Sequence, residues 1–131
     1  MSEEIIYATL GDLGFQRLVA AFYRRVKEDE IVGSMYPDDD WEGSEERLYQ
    51  FLLFRFGKNP TYIEQRGHPR LRMRHMPFKI GTAERDRWIE MMDEAMVETK
   101  VPAIAAEPLR AFFVQVADFM RNVPDESEPL R

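Results

Sequence analysis

Apolar residues in this chain recur at the three- and four-residue spacing of a helix, and nowhere in the alternating pattern of a half-buried strand. Phe15, Leu18, Val19, Phe22 and Val26 predict a helix over about 15–27, with Gly14 just before it. Ser44, followed by Glu45 and Glu46, predicts an N-terminal cap for a second helix that carries Leu48, Phe51, Leu52 and Phe54 and stops at Gly57-Lys58-Asn59-Pro60. His68-Pro69 opens a short helix that Pro77 must end, because its ring removes a donor and clashes upstream. Thr82 is expected to cap a helix bearing Trp88, Met91, Met92, Ala95 and Met96. A last helix carries Leu109, Phe112, Phe113, Val116, Phe119 and Met120, with Pro108 in its first turn. No Asn-Gly or Asp-Gly hairpin signal separates apolar runs, so the fold class is all-α.

At 131 residues the chain predicts one domain, over 1–123, and a polar tail over 124–131 with two prolines. The absence of cysteine excludes disulfides, thiolate zinc sites, iron–sulfur clusters and a cysteine nucleophile. His, carboxylate and hydroxyl chemistry is left. A net charge of −6 argues against nucleic acid or an anionic membrane as the partner of the whole molecule. Acid near the N-terminus where a secretory signal would be basic, and the lack of any membrane-length apolar run, point to a cytoplasmic protein without a membrane span.

Charge is nevertheless segregated. Between Glu64 and Glu84 there is no acid, while Arg66, Arg70, Arg72, Arg74 and Lys79 lie there with both histidines of the chain, His68 and His75. Such a stretch asks for an anionic partner: phosphates, a nucleic-acid backbone, an acidic protein face, or the carboxylates of a cofactor. His75 follows Leu71 by four residues, so its imidazole faces the apolar direction of the short helix. A neutral imidazole in that place needs a partner for each nitrogen, and either a metal or a polar core network meets the need. His68, before proline at a helix start, reads as a capping or loop residue. Two histidines without cysteine cannot assemble the three or four ligands of a usual zinc site. One histidine does hold haem iron, with the rest of the binding coming from apolar contact worth roughly 10 kcal/mol for several hundred Å² at about 25 cal/mol/Å². Leu48, Phe51, Leu52, Leu71, Met76, Phe78, Trp88 and Met92 are candidate walls, and two haem propionates would account for the local arginines.

The stretch from Glu64 to Phe78, Glu-Gln-Arg-Gly-His-Pro-Arg-Leu-Arg-Met-Arg-His-Met-Pro-Phe, resembles the proximal segment of the group II truncated haemoglobins. Phe22-Tyr23, Tyr36-Pro37 followed by acids, and Glu84-Arg85-Asp86-Arg87-Trp88 match at compatible distances, so the resemblance runs from about Phe15 to Met96. It implies a two-over-two helical sandwich around haem b, binding oxygen reversibly, and carbon monoxide and nitric oxide as further ligands. His75 would be the iron ligand. Tyr23, Tyr36 and Trp88 would face the opposite, distal side as hydrogen-bond donors, with Ser44 and Leu48 lining the distal entrance. Arg47, Arg74 and Lys79, with Tyr62 and Arg72, would meet the propionates. The chain departs from the family's Gly-Gly pair after the distal helix, where it has Gly57-Lys58-Asn59, and in its early turn, where Gly11 and Gly14 are separated.

Two phenols and an indole aimed at oxygen whose outer atom has gained electron density stabilise the bound form and slow its release. The primary expectation is therefore oxygen binding, for transport, storage or sensing, as a monomer or homodimer. The enzymatic alternative is a haem protein that uses bound oxygen or peroxide, as a nitric-oxide dioxygenase served by a reductase or as a peroxidase. A third reading treats residues 66–79 as a basic helix for nucleic acid or an acidic protein. The interleaved Leu71, Met73, Met76 and Phe78 and the acidity of the rest of the chain count against it.

Overall fold

Helical periodicity is realised over nearly the whole of the chain that the computed structural model describes, residues 2–36, 39–67, 75 and 79–122. Among the described residues five α-helices have both ends defined: α1 (Ser2–Val26), α2 (Trp41–Gly57), α3 (Thr61–Arg66), α4 (Thr82–Glu98) and α5 (Ala103–Met120), with a 3₁₀ turn at Gly33–Met35. No strand occurs among the described residues. Helix α1 packs on α2, α4 and α5, α4 packs on α5, and α3 lies on α2. The core is the filling between these layers: Phe15, Leu18, Phe22, Leu52, Met91, Met92 and Leu109 are all but inaccessible.

Several boundaries differ from the sequence expectation. Helix α1 begins a full arm earlier than residue 15, and its break falls at Gly11 (φ 63°, ψ −177°) instead of Gly14. A left-handed φ of this kind is open to glycine at little cost, so Gly11 turns the leading arm, whose Ile6 is buried, back against the core. Ser44 does not cap α2. The helix starts one turn earlier at Trp41, and Ser44 is a buried residue within it. Thr82 is the first helical residue of α4, after Gly81; the carboxylate of Glu84 accepts the Gly81 N–H at 2.8 Å, which satisfies one of the helix-end donors. Helix α5 begins at Ala103 after Pro102, so Pro108 lies inside it, beyond the first turn. Its ring leaves the carbonyl of Ile104 without the usual partner, on a side of the helix where Ile104 is exposed. Phe119, expected on the core face, is 60% exposed. Helix α2 does end at Gly57, where Lys58 takes a left-handed conformation and sends its N–H to the Leu53 carbonyl. The helix expected between His68 and Pro77 lies outside the described residues except for His75, which is helical, as does the tail over 124–131.

The turn after α1 is tight because Gly33 has no Cβ: one built there would stand 2.4 Å from the Val26 carbonyl oxygen. Asp29 secures the same turn. Its Oδ2 accepts the N–H groups of Val32 at 2.7 Å and Ile31 at 3.1 Å, and its Oδ1 pairs with Arg87 Nε of α4 at 2.5 Å. Burial alone would raise the Asp29 carboxyl, but the hydrogen bonds from Arg87 and the two amides outweigh it and hold the group below the usual carboxylate range. A lowered native pKa contributes stability that is complete above the unfolded value of about 3.9 and drains away as pH falls through the native one. Asp29→Asn is therefore expected to cost about 1–2 kcal/mol at neutral pH, the difference between charge-assisted and neutral hydrogen bonds, with the deficit shrinking toward about pH 3. Urea unfolding at the two pH values checks this, and an equal deficit at both would count against it.

Candidate functional site

A cavity of about 410 Å³ opens between the layers, walled by α2, α4, α5 and the turn after α1. The amphipathic patterns that close the core also build this wall. Leu48, Phe51 and Leu52 of α2 face Phe112, Phe113, Val116 and Ala117 of α5, and Ile80 and Met120 line the end near His75. The imidazole-bearing residue His75 is itself on the lining and partly buried.

Aromatic groups form one side. Tyr23 is buried, and its ring meets Tyr36 edge to face at 5.5 Å and 81°. Trp88 packs edge-on against Phe22 at 5.0 Å and Phe113 at 5.6 Å, so the indole is held from two directions. Burial pushes the Tyr23 hydroxyl well above the ordinary tyrosine range, and the charge and hydrogen bond of Tyr36 push it further. Tyr36 is raised too, by burial, while hydrogen bonds with Tyr23 and Trp88 pull it the other way. An indole N–H has only a proton to give. Trp88 therefore donates to the Tyr36 oxygen, and the Tyr23 and Tyr36 hydroxyls share a hydrogen bond.

Polar groups share the lining. Arg47 pairs through Nη1 with Asp40 Oδ2 at 3.1 Å and donates from Nη2 to Ser44 Oγ at 3.2 Å. Glu84 and Arg85 also line the cavity, with Arg85 Nη1 anchored on Asp118 at 2.6 Å.

Of the residues singled out in the sequence, the fold brings Tyr23, Tyr36, Ser44, Arg47, Leu48, Phe51, Leu52, Tyr62, His75 and Trp88 to this one cavity. Met92 is instead in the buried core and does not line it, and Lys79 is exposed and outside its lining. Leu71, Arg72, Arg74 and Phe78 lie outside the described residues. The sequence reading missed the contribution of α5, Val32 and Met35 from the turn, and Trp41, which stacks on Tyr36 at 5.6 Å and 29°. For α5 the apolar stripe was the signal, but a stripe does not say which part of it meets a core and which a cavity. Among the described residues no group of three or more His, Cys, Asp or Glu is placed to hold a metal ion. A single imidazole beside extended apolar walls, with a guanidinium on the same lining, fits a haem: one nitrogen for iron, flat hydrocarbon for the macrocycle, a cation for the propionates. No described helix is long and apolar enough to cross a membrane.

The model of the bacterial-like globin family matches residues 5–122. The Group 2 truncated hemoglobin YjbI of Bacillus subtilis is 37% identical over 90 residues, which span 69% of this chain and 67% of that protein. Among solved structures, the thermostable hemoglobin from Thermobifida fusca superimposes with a TM-score of 0.86 at 43% identity, covering 92% of this chain and 98% of that one. The truncated oxygen-avid haemoglobin from Bacillus subtilis does so with a TM-score of 0.84 at 32% identity, covering 88% and 98%. These structures are truncated globins of the two-over-two fold, and the helix pairs α1–α2 and α4–α5 are that sandwich here. The chain belongs to the bacterial-like globin family and, within it, to the group II truncated haemoglobins, whose fold is one that binds haem.

Proposed function

We propose that this globin holds haem b on His75 and binds oxygen reversibly, with high affinity and slow release. The observation that carries the reading is that His75 and the Tyr23–Tyr36–Trp88 cluster line one cavity. Haem, when held there, supplies an iron with one coordination position for a diatomic gas. The chain has no cysteine for a thioether attachment, which favours the non-covalent b type.

His75 would hold the iron through a ring nitrogen. Leu48, Phe51, Leu52, Phe112 and Val116 would exclude water from the group, and Arg47, a cation on the lining, would meet its carboxylates, with Arg74 and Lys79 as the further cations that the sequence offers. Tyr36, bonded to Tyr23 and accepting from Trp88, would offer its hydroxyl proton to the guest. Because burial raises both tyrosines, they stay protonated through the neutral range and remain donors. A guest that has gained electron density accepts that proton strongly; carbon monoxide, which gains little, does not. The similar B. subtilis globin is described as oxygen-avid, in keeping with this reading.

The test is spectroscopic. The reduced, haem-loaded protein is expected to give a stable oxygenated spectrum that reverses on deoxygenation, with oxygen release slow enough to follow over seconds by stopped flow. A reduced haem that oxidises at once on meeting oxygen, or that is closed to it by a second protein ligand, would overturn the proposal.

A further inference from the structure

Asn122 lies two residues beyond the end of α5 and off the cavity lining, yet three of its polar atoms bind one short segment. Its backbone N–H donates to the Ile80 carbonyl at 2.8 Å, and its Oδ1 accepts the Ile80 N–H at 2.9 Å. Its Nδ2 donates to the carbonyl oxygen of His75 at 3.3 Å. One side chain therefore clasps both ends of the stretch from His75 to Ile80. That stretch contains Pro77, which has no N–H to contribute to a helical ladder, so support from outside is what its chemistry calls for.

The clasp is itself braced. Arg121 Nη1 donates to Thr82 Oγ1 at 3.0 Å, and Arg85 of α4 grips Asp118 of α5 at 2.6 Å. The end of α5 is thus fixed to the start of α4 on the side of the segment that follows Ile80. Ile80 is buried and lines the cavity together with His75 and Met120. A rotation of the 75–80 backbone would turn the imidazole relative to the cavity, and the amide of Asn122 opposes it at the residue that bears the ring.

We infer that Asn122 is a positioning residue for His75, fixing through the His75 carbonyl the angle at which the imidazole enters the cavity. This rests on His75 being the iron ligand. Asn122 is off the cavity lining; it acts in the way outer partners of metal-binding histidines act, by restricting orientation, but through the main chain in place of the second ring nitrogen.

Two substitutions separate this role from a plain fold clasp. Asn122→Asp keeps an oxygen for the Ile80 N–H and the backbone bond, but at neutral pH has no proton for the His75 carbonyl. Asn122→Leu removes both side-chain bonds at similar volume. In the haem-loaded, reduced protein the iron–histidine stretching band is read by resonance Raman, haem loss by transfer to an apo-globin acceptor, and Ile80 amide exchange by NMR. Asn122→Asp is expected to shift and broaden the iron–histidine band and speed haem loss about tenfold, equivalent to ~1.4 kcal/mol, while the Ile80 amide stays protected. Asn122→Leu is expected to do the same and to expose the Ile80 amide as well. If both variants keep the parental band and haem-loss rate while Ile80 exchange quickens in Asn122→Leu, the clasp is structural only and the inference fails alone. If the parental protein shows no iron–histidine band, or His75→Gly holds haem with an unaltered spectrum, the assignment of His75 fails and takes this inference with it.

Discussion

His75→Gly is expected to lose haem at least a hundredfold faster than the parental protein, while far-ultraviolet circular dichroism of the protein without haem hardly changes. The axial bond is the one specific link between chain and iron in the proposed site, and a hundredfold corresponds to ~2.7 kcal/mol, less than a coordination bond is worth before compensation by water. Helicity persists because the core does not depend on this residue: Phe15, Phe22, Leu52 and Met91 are closed by contacts among α1, α2 and α4, and His75 is only partly buried at the cavity edge. The apolar walls also persist, so haem should still partition into the variant weakly. Imidazole added to the medium is then expected to enter the space left by the ring and restore both the spectrum and part of the retention. Retention equal to the parental value without imidazole would mean that another group holds the iron.

Tyr36→Phe is expected to speed oxygen release between tenfold and about a hundredfold and to leave carbon monoxide release nearly unchanged. A hydrogen bond to a partly charged acceptor is worth about 1.5–3 kcal/mol, which sets the range. The effect concentrates on Tyr36 because its hydroxyl is the one bonded to both Tyr23 and Trp88, and the indole can only donate to it. Removing the hydroxyl also strands the buried Tyr23 O–H, so a loss of about 1–2 kcal/mol in folding stability should accompany the kinetic change. Trp88→Phe should speed release less, because it removes a donor that orients Tyr36 and keeps an aromatic body between Phe22 and Phe113. Stopped-flow displacement of both gases checks the pair of variants. Equal acceleration of oxygen and carbon monoxide would indicate an opened cavity instead of a lost hydrogen bond.

The helices were legible because an element that packs one face must repeat its apolar residues at 3.6, and α1, α2, α4 and α5 all do. Their ends were less legible. Ser44 and Thr82 have the chemistry of caps, but a cap competes with whatever the neighbouring residues bury, and Trp41 against Tyr36 and Glu84 reaching back to Gly81 moved both starts upstream. Pro108 illustrates the same limit, since a proline within a helix is tolerated where the orphaned carbonyl can face water.

Residue types and spacing by themselves determined an all-helical chain without thiol chemistry, a basic stretch around a histidine on an apolar face, and the phenols and indole available to oppose it. Tertiary structure decided which of these share a cavity. Trp88 and Met92 lie four apart on α4, and nothing in their spacing separates them, yet Trp88 lines the cavity and Met92 fills the core. The reason is that periodicity assigns a residue to a face of its own helix, whereas lining a cavity depends on how far the facing helix stands away. That distance is set by the contacts of α1 with α2, α4 and α5 together, along with the Gly33 turn that brings Tyr36 over Tyr23 and the Asn122 clasp on the segment of His75.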